Sequence, residues 1–407
     1  MAAPKGFTVM NLKNRKLNTC HVITRMIVGG AQENTLLTLR GHLESGHNAV
    51  LVTGPSPGRE GELLKNVDMP PFEIKVFPDM VRELSPWHDL MAFFKLRRFF
   101  KENKFDVVHT HSSKAGIIGR IAARSAGVPV VVHTVHGQAF HPNEKAWKNA
   151  LYIFLERFAA RYCDRIYAVA QAMIDQCVDA KVAPREKYQV VYSGMDTAHF
   201  ASCKRSAELR AKLGIPENVK VIATVARLFP LKGYEFVIPA AKRIIEKYPD
   251  THFLLIGDGP MYDELQKQLA EDNIAENFHF SGLVSPDKVA DHLAQADLLW
   301  HLSLREGLPR AVVQALAVGI PAIGFALDGT PEVVINGETG FVVDAEDIDA
   351  VVEKTCCIWD DPELAAKMGE NGSRKVIEQF DWHRMADILE KEYLRLADEK
   401  IPEIDNK

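Results

Sequence analysis

The sequence predicts an α/β fold of two domains, each built on a parallel sheet, and three observations lead to this prediction. Short apolar runs of strand length alternate with longer amphipathic stretches of helical period, which is the pattern of βα units. The alternation weakens near residue 200 and then restarts with similar spacing. With 407 residues the chain is also too long for one ordinary hydrophobic core. Two facing Rossmann-like domains with a cleft between them satisfy all three observations.

The first half of the chain supplies the strands and helices of one predicted domain. Each strand is a short apolar run with the length of a buried strand. The predicted strands are residues 21–28, 49–53, 73–77, 107–110, 130–135, 165–170 and 189–192. The predicted helices are residues 30–45, 89–103, 114–126 and 145–162. We interpret residues 195–219, which are polar and charged, as the connection between the domains.

The second half repeats the alternation and then ends in helices. Its predicted strands are residues 221–225, 252–256, 278–280, 298–301, 322–325 and 340–343. Its predicted helices extend to about residue 248 and cover residues 261–270, 287–294, 310–318, 348–359, 362–379 and 382–396. The predicted organisation is a tail over 1–17, domains over 18–200 and 201–379, and a final segment over 380–407. Because ligands of such sheets bind at the carboxyl ends of the strands, we expect a site between the two sheets.

Composition restricts the class of protein. The 49 Lys and Arg residues against 54 Asp and Glu give a net charge of −5, which argues against a general nucleic-acid binder. The six cysteines are scattered without a zinc-ligand spacing, so we expect reduced thiols. No apolar signal segment follows the basic N-terminus, and no apolar run approaches the ~20 residues of a membrane span. We therefore expect a cytoplasmic protein.

A pair of glycines follows the first predicted strand. Gly29 and Gly30 open the next helix, where a bare backbone can approach a ligand and free N–H groups favour a phosphate. The alternative is a tight βα turn that binds nothing. The pair alone does not decide between the two.

Two cations lie at the end of the first strand of the second half. Arg227 and Lys232 are five residues apart, with Gly233 and a helix directly after them. A diphosphate suits this arrangement, because Arg binds it with two hydrogen bonds and Lys acts as a mobile point charge. The alternative is a surface Arg and Lys that flank a proline turn.

A carboxylate precedes another predicted helix. Glu306 stands in the loop before it, followed by Gly307 and Leu308, and Pro309 suits the first helical position. A loop carboxylate accepts hydrogen bonds from sugar hydroxyls, while free helix N–H groups face a phosphate. The alternative is a Glu that merely suits the helix dipole. Gln314 lies eight residues after Glu306, within the helix.

Four histidines lie at the ends of two neighbouring predicted strands. His109 and His111 end one strand, and His133 and His136 end the next. His136 precedes a glycine and can donate to a hydroxyl or a phosphate, whereas a structural role is the more frequent one for the other three. A metal site is the less favoured interpretation, because no carboxylate accompanies the four histidines.

Three signatures of other enzyme classes are absent from the sequence. After Gly257-Asp258-Gly259, Tyr262 replaces the third glycine of a dinucleotide-binding fingerprint, which argues against a dehydrogenase. The chain contains neither the phosphate-binding motif of P-loop nucleotidases nor the nucleophile elbow of α/β-hydrolases.

Taken in order, the motifs resemble the family 4 retaining glycosyltransferases, whose two-domain fold is called GT-B. The resemblance covers roughly residues 22–343, and the number and order of the motifs carry it. The motifs are Gly29-Gly30-Ala31-Gln32, His111 to Gly116 with Gly119-Arg120, His133 to Gly137, Ser193 to Asp196, Arg227 to Gly233, Gly257 to Pro260, Glu306 to Pro309, Gly329 to Glu332 and Gly337 to Phe341.

The resemblance implies a donor site on the second domain and an acceptor side on the first. It implies that Arg227 and Lys232 hold the donor diphosphate, that Glu306 binds hydroxyls of the donor sugar, and that His136 lies beside the transferred sugar. It also implies that the final helix returns to the first domain. The implied catalytic set is His136, Arg227, Lys232 and Glu306. The implied donor-binding set is Gly29, Gly30, Arg227, Lys232, Gly282, Val284, Glu306, Gly307, Leu308 and Gln314.

The implied reaction retains the anomeric configuration and uses a nucleoside-diphosphate sugar, UDP-linked more than GDP-linked. The acceptor is a glycan, a lipid-linked sugar or a small molecule, and no metal is expected because the cleft motifs contain no D-x-D carboxylate pair. Gln314 departs from the family, which has a second Glu separated from the first by seven residues. The alternatives are a sugar-nucleotide epimerase or phosphorylase of the same fold, and a non-catalytic nucleotide-sugar binding protein.

Residues 93–101 mix aromatic and basic side chains. An interfacial helix has this composition, and so does a core-facing helix with a solvated basic side, which is the favoured interpretation. The segment leaves open a peripheral contact with the inner face of the membrane.

Overall fold

The computed structural model describes residues 15–56, 63, 70–83, 85–142 and 144–401. Within them the chain forms two parallel sheets, one of seven strands and one of six, covered by helices. Residues 1–14 of the predicted tail and residues 402–407 of the predicted final segment lie outside the described residues. The two-sheet α/β architecture that the sequence predicts is present.

The first sheet is the centre of the N-terminal lobe. Its strands are β1 (Asn18–Ile23), β2 (Asn48–Thr53), β3 (Glu73–Val76), β4 (Val107–His111), β5 (Val130–Val135), β6 (Arg165–Ala168) and β7 (Tyr188–Val190). Its helices are α1 (Gly30–Glu44), α2 (Pro86–Asn103), α3 (Ser113–Ser125), α4 (Ala146–Ala159) and α5 (Gln171–Asp179). The strand order is β3-β2-β1-β4-β5-β6-β7. The chain builds outward from β1 and from β4 in opposite directions, so the carboxyl ends of these two strands form a crevice.

The second sheet is the centre of the C-terminal lobe. Its strands are β8 (Lys220–Val225), β9 (Thr251–Ile256), β10 (Phe278–Gly282), β11 (Leu298–His301), β12 (Ala322–Phe325) and β13 (Gly340–Val343). The strand order is β10-β9-β8-β11-β12-β13, which places the equivalent crevice at β8 and β11. The helices that follow β7 are α6 (Thr197–Ser202), α7 (Ala207–Lys212), α8 (Tyr234–Lys247), α9 (Tyr262–Glu271), α10 (Val289–Leu293), α11 (Arg310–Val318), α12 (Thr330–Val333), α13 (Ile348–Asp360), α14 (Pro362–Phe380) and α15 (Trp382–Lys400).

The segment that we interpret from the sequence as a connection contains two short helices. Asp196 accepts a hydrogen bond from the N–H of His199 and begins α6, and Ser206 begins α7 by accepting from the N–H of Leu209. Helix α6 contacts α11 and α14 of the C-terminal lobe. The predicted boundary after residue 200 falls inside α6. Two polar capping residues and only one turn or two of helix explain why the apolar period is too short to reveal these helices.

The first strand and helix α5 also differ from the sequence prediction. β1 ends at Ile23 and not at residue 28, because the chain leaves the sheet: the Thr24 and Ser112 hydroxyls lie 2.9 Å apart, and the N–H of Met26 donates to Ser56 Oγ. Helix α5 has no counterpart among the predicted helices. Its buried side is short, which leaves little helical period in the sequence.

Helix α15 lies on the N-terminal lobe. Its Met385, Leu389 and Tyr393 are buried in one cluster with Val107 and Val130 of the first sheet. It also contacts α1, where a methyl group at Gly41 would lie 2.3 Å from Ala386 Cβ. The amphipathic last helix therefore joins the end of the chain to the first sheet.

Candidate active site

Three loops of the C-terminal lobe meet at the carboxyl ends of neighbouring strands β8, β11 and β12. The loop after β8 carries Lys232 and the loop after β11 carries Glu306. Lys232 Nζ lies 2.7 Å from Glu306 Oε1. His301, the last residue of β11, brings its Nε2 to 3.6 Å from the same oxygen. Residues 74 positions apart in the sequence thus form an ion pair at the cleft.

Glu306 is ionised although its side chain is only 20% exposed. Burial opposes ionisation, but the charge of Lys232, with the hydrogen bonds from Lys232 and Ser303, outweighs it, so the pKa of Glu306 lies below its usual range. The N–H of Glu306 donates to Asp328 Oδ2 at 2.7 Å, which fixes the loop backbone as well. An ionised carboxylate is a strong acceptor for hydroxyl donors.

The loop that carries Lys232 has a strained backbone. Leu231 has a φ of +68°, in the left-handed region that side chains disfavour. Its carbonyl accepts from the N–H of Leu304 at 3.0 Å and the hydroxyl of Ser303 at 3.1 Å. Next to Lys232, a methyl group at Gly233 would lie 2.2 Å from the carbonyl oxygen of Leu302. The contacts with the loop after β11 stabilise this strained backbone and place Lys232 beside Glu306.

Arg227 begins the same loop and is exposed. Its guanidinium lies 5.0 Å from the ring centroid of Phe229. The N–H of Leu228 donates to the carbonyl of Asp258 at 3.0 Å, and a methyl group at Gly257 would lie 2.1 Å from the carbonyl oxygen of Ala226. The glycine-rich loop after β9 therefore supports the backbone from which Arg227 projects.

One arginine crosses the cleft from the start of α11. Arg310 Nη2 lies 2.8 Å from Glu33 Oε2 in the first turn of α1. Its Nη1 donates to Ser193 Oγ at 2.7 Å and to the carbonyl of Gly194 at 3.0 Å. A methyl group at Gly30 would lie 2.5 Å from Arg310 Cδ, so this glycine accommodates the arginine side chain. Gly30 of the N-terminal lobe thus lies against a side chain of the C-terminal lobe.

His136 follows β5 on the opposite wall. A methyl group at Gly307 would lie 2.2 Å from the carbonyl oxygen of His136, so the two lobes touch at this point. Burial and, after it, the charge of Arg310 lower the pKa of His136 to about 3. His136 Nε2 lies 3.0 Å from His111 Nδ1. The residue is therefore a neutral imidazole beside the cleft.

The other histidines of the two strand ends are inside the N-terminal lobe. His109 Nε2 lies 2.6 Å from Thr134 Oγ1, and its Nδ1 contacts the Tyr393 hydroxyl. His133 Nδ1 lies 3.0 Å from the Thr110 hydroxyl. Burial holds the pKa values of both histidines well below the usual range. Both rings are hydrogen-bonded within the core, as a structural role requires.

A cavity of about 660 Å³ opens between the lobes beside Glu306. The N-terminal lobe lines it with Phe140, Asn149 and Ile153, and the C-terminal lobe with Asp328 and Glu306. Its volume is in the range of small-molecule sites, and carboxylates, an amide and an aromatic ring suit a sugar.

The remaining predicted site residues are more dispersed. Gln314 is one turn beyond Arg310 on α11 and is 9% exposed. Gly282 ends β10, two strands away from β8, with a φ of +68° and open space around it. Val284 follows it and is half-buried. Leu308 is buried, and Gly29 precedes α1 in extended backbone. Pro309 caps α11, and Arg310 is its first residue, which corrects the prediction of a proline in the first helical position.

The sequence analysis assigns no role to four residues of the cleft: His301, Arg310, Asp328 and Glu332. Glu332 of α12 accepts two backbone hydrogen bonds at the start of α5, from Gln171 at 2.8 Å and Ala172 at 2.9 Å. Each of the four stands at a strand end, in a loop or near a helix start of the second half of the chain. Of the four, His301 could have been found from the sequence, because it lies at the carboxyl end of a predicted strand, where ligands bind.

Two family matches cover most of the chain. Residues 28–199 match the family described as Glycosyltransferase Family 4, and residues 205–375 match the family described as Glycosyl transferases group 1. The motifs of the glycine pair and the histidines fall in the first match, and those of Arg227, Lys232 and Glu306 fall in the second.

Curated relatives match over similar lengths. The UDP-Gal:alpha-D-GlcNAc-diphosphoundecaprenol alpha-1,3-galactosyltransferase of Escherichia coli is 33% identical over 324 residues, which are 79% of this chain and 83% of that protein. The N-acetyl-alpha-D-glucosaminyl L-malate synthase of Bacillus anthracis is 26% identical, with 86% of this chain and 90% of that protein covered.

Solved structures share the fold. The crystal structure of Anabaena HepE in complex with UDP-glucose superimposes with a TM-score of 0.78 at 22% identity, over 93% of this chain and 99% of that one. Sucrose-phosphate synthase from Thermosynechococcus elongatus gives a TM-score of 0.80 at 18% identity, again over 93% and 99%. With the family matches, these likenesses lead to one conclusion. The chain belongs to glycosyltransferase family 4, has the GT-B fold, and is a retaining glycosyltransferase that takes its sugar from a nucleoside-diphosphate donor.

Proposed function

We propose that the enzyme transfers a hexose from a UDP-sugar to a lipid-linked glycan acceptor, with the donor diphosphate at Arg227 and Lys232. The observation that carries the proposal is the Lys232–Glu306 ion pair of 2.7 Å at the ends of two central strands. A sugar diphosphate needs a cation for its phosphates and an anionic acceptor for its hydroxyls a few ångströms apart. This pair offers both.

The chemistry follows from the charges that develop as the bond between the anomeric carbon and the diphosphate breaks. Negative charge collects on the leaving phosphate, and the sugar ring becomes positive. Cations fixed at the phosphate stabilise the transition state more than the bound substrate. In the proposal Arg227 and Lys232 do this without a metal ion, and the leaving phosphate accepts the proton of the acceptor hydroxyl.

The remaining roles are assigned by position in the cleft. Glu306 accepts from hydroxyls of the donor sugar, with the backbone amides of Gly307 and Leu308 beside it, and His136 donates from the opposite wall. Residues 18–200 then carry the acceptor side and residues 201–379 the donor nucleotide, with residues 380–407 returning to the first of these. The further donor contacts in the proposal are Gly29, Gly30, Gly282, Val284 and Gln314.

UDP is the preferred nucleotide in this proposal. The Escherichia coli relative named above acts with UDP-Gal, and the HepE complexes contain UDP and UDP-glucose. A shorter match, 30% identical over 209 residues, is to a GDP-mannose-dependent mannosyltransferase of Mycolicibacterium smegmatis, so GDP is the competitor to exclude. We also propose that the chain belongs to a bacterial subgroup with Gln314 in place of the second glutamate.

A lipid-linked acceptor accounts for an unusual helix at the mouth of the cavity. Helix α4 is rich in apolar residues, yet Ala159 is its one buried residue. We call its outward residues Trp147, Leu151, Phe154 and Phe158 the α4 face; Trp147 is 63% and Phe154 61% exposed. An exposed apolar surface of this kind marks a partner site. Asn149 and Ile153 of the same helix line the cavity, so the face and the cavity adjoin.

The partner that fits the α4 face is an anionic bilayer surface on the cytoplasmic side. Lys145, which directly precedes the helix, and Arg157 on it are both exposed. Exposed aromatic residues with lysines and arginines are the composition of interfacial helices. Trp87 and Phe94 of α2 are also exposed, although α2 buries Leu96 and Phe100 against the core. No helix among the described residues is long and apolar enough to cross a membrane. The contact is therefore peripheral in this proposal.

The transfer is tested by nucleotide release. Purified enzyme is incubated with UDP-hexoses and GDP-hexoses, with and without a polyprenyl-diphosphate sugar in detergent. We expect release of UDP that depends on the acceptor, and a product with the anomeric configuration of the donor. Release of GDP alone would contradict the choice of nucleotide, and specific binding without any turnover would contradict an enzymatic role.

The membrane contact is tested by flotation with vesicles that contain anionic lipid. The double variant Trp147→Glu, Phe154→Glu should lose binding, and added salt should weaken binding of the unaltered enzyme. Ile377→Glu is the matched control, because Ile377 is 40% exposed on α14 of the other lobe. Equal flotation of all variants would exclude the α4 face as the contact.

A further inference from the structure

Four histidines of the N-terminal lobe form one hydrogen-bonded chain that ends beside the cleft. His42 Nδ1 lies 3.2 Å from His21 Nε2, and His21 Nδ1 lies 3.1 Å from His111 Nε2. His111 Nδ1 lies 3.0 Å from His136 Nε2. His21, His42 and His111 have no exposed surface. Three successive bonds thus connect helix α1, through strands β1 and β4, to the residue that follows β5.

All four imidazoles are neutral at physiological pH. Burial lowers the pKa of His21 to about 3 and holds the pKa values of His42 and His111 well below the usual range. His136 is lowered to about 3 in the same way, with Arg310 as the second cause. A neutral imidazole has one N–H and one bare nitrogen.

Hydrogen bonding couples the tautomers of the four rings. Each N···N bond needs one protonated and one bare nitrogen, so a ring that donates on one side must accept on the other. Only two arrangements therefore make all three bonds: every proton on Nδ1, or every proton on Nε2. In the first, His136 accepts from His111 and presents Nδ1–H. In the second, His136 donates to His111 and presents a bare nitrogen.

The far end of the chain selects between the two arrangements. His42 Nε2 is buried and has no hydrogen-bond partner among the described residues. With every proton on Nε2, this atom would be a buried N–H without an acceptor, which is rare in folded proteins and costs its full desolvation. With every proton on Nδ1, it is a bare nitrogen. The arrangement with every proton on Nδ1 therefore leaves no N–H unpaired at the buried end of the chain.

We propose that His42, His21 and His111 are positioning residues that fix His136 in the Nδ1–H tautomer, so that this nitrogen donates to an oxygen of the bound sugar nucleotide. A free histidine side chain in water favours the opposite tautomer, with its proton on Nε2. The chain therefore changes which hydrogen bond His136 can make. The contact with the donor rests on the proposed glycosyl transfer, whereas the tautomer does not.

Packing alone does not explain the chain. Apolar residues of similar volume would fill the same space without desolvating three imidazoles. A metal site does not explain it either. His21, His109 and His111 bring ring nitrogens within 4.8 Å of one another, but each ring nitrogen of the three already has the hydrogen-bond partner described above.

The direct test is nitrogen-15 NMR of the unaltered enzyme with labelled histidine, because the shift of a protonated ring nitrogen differs strongly from that of a bare one. We expect His42, His21, His111 and His136 all to carry the proton on Nδ1. A proton on Nε2 of His136, or an even mixture of its tautomers, would overturn the proposal. So would a stoichiometric metal ion in the purified enzyme, since His21 and His111 would then lose their N–H···N bond.

Two substitutions of His111 distinguish a role in positioning His136 from a role in packing alone. His111→Leu removes the donor to His136, and we expect the His136 tautomer to change and kcat to fall about tenfold, with a smaller change in KM. His111→Asn places an amide N–H near the position of Nδ1, and we expect it to restore both. His109→Leu is the matched control, because His109 is equally buried but bonds Thr134 and Tyr393 outside the chain.

The readouts keep the two proposals apart. An unchanged His136 tautomer in His111→Leu, or an equal loss of kcat in His109→Leu and His111→Leu, would overturn the positioning role. If His111→Leu does not fold, the labelled unaltered enzyme decides alone. Absence of turnover in an enzyme whose four histidines carry Nδ1 protons would contradict the proposed function and leave the tautomer chain standing.

Discussion

The C-terminal lobe brings an ion pair to the cleft, and the N-terminal lobe brings the neutral imidazole of His136, supported from behind by His111. On one side Lys232 and Glu306 form an ion pair. On the other side burial keeps His111 and His136 uncharged. In the transition state of glycosyl transfer the leaving phosphate is negatively charged and the sugar ring is positively charged. Fixed charges belong where the phosphate leaves, and neutral donors orient the sugar without opposing its positive charge.

The buried cores of the two lobes also differ in the polarity of the residues on their central strands. The central strands of the second sheet bury apolar residues such as Ile222, Leu299 and Trp300. The central strands of the first sheet bury His21 and His109 at the equivalent depth. Each ring nitrogen of His21 and His109 has a hydrogen-bond partner, so hydrogen bonds add to packing in specifying the N-terminal core.

We expect the largest effect from a substitution that removes a positive charge from the C-terminal side of the cleft. If Arg227 binds the leaving diphosphate, Arg227→Ala should lower kcat by a factor on the order of 10²–10³, about 3 kcal/mol of transition-state stabilisation. Steady-state release of UDP measures this. The matched control is Arg243→Ala, since Arg243 pairs with exposed Asp349 on the same lobe. Near-normal turnover of Arg227→Ala would remove Arg227 from the phosphate site.

The second effect comes from a substitution that forces the two lobes apart. Gly307→Ala places a methyl group 2.2 Å from the carbonyl oxygen of His136, and a backbone atom cannot move away cheaply. We expect the lobes to stand further apart and kcat to fall about 10²-fold, because displacements of about 1 Å have this cost. Small-angle scattering with UDP bound should show a more open particle. Gly137→Ala is the control for lobe closure, since its methyl group meets nothing within 4 Å.

The third effect concerns the N-terminal core and depends on pH. Below pH 6.5 the unfolded chain takes up a proton on His21 that the folded protein binds only near pH 3. The free energy of unfolding therefore falls as the pH drops from 6.5 towards 3, by about 1.4 kcal/mol per pH unit for each such histidine. Hydrogen exchange at pH 7 and pH 5.5, corrected for intrinsic rates, should show β1 and β4 losing more protection than β8 and β11. Equal losses in both sheets would contradict the contrast between the cores.

The sequence reveals the strands more completely than the contacts across the cleft. The strands Val130–Val135, Leu298–His301 and Ala322–Phe325 are confirmed to the residue, because each is an apolar run with clear ends. The Arg310–Glu33 pair joins positions 277 apart, and only the packing of two lobes brings them together. His21 and His42 carry no motif, since a sequence does not show which ring nitrogens face each other. The sequence locates most strands, but it does not determine which side chains meet across them.

The smallest expected effect tests the proposed donor contact of Gln314. If Gln314 contacts the ribose, Gln314→Glu should strengthen that contact, because a carboxylate accepts about twice as strongly as an amide. Burial of the new charge opposes the gain, since the site is 9% exposed, but the Arg310 guanidinium one turn earlier on α11 reduces that penalty. We expect about 1 kcal/mol in donor binding, a roughly fivefold lower KM for the UDP-sugar with kcat nearly unchanged. Gln314→Ala should raise KM. A higher KM in Gln314→Glu, with unchanged KM in Gln314→Ala, would show that this side chain belongs to the core of the C-terminal lobe and not to its charged wall.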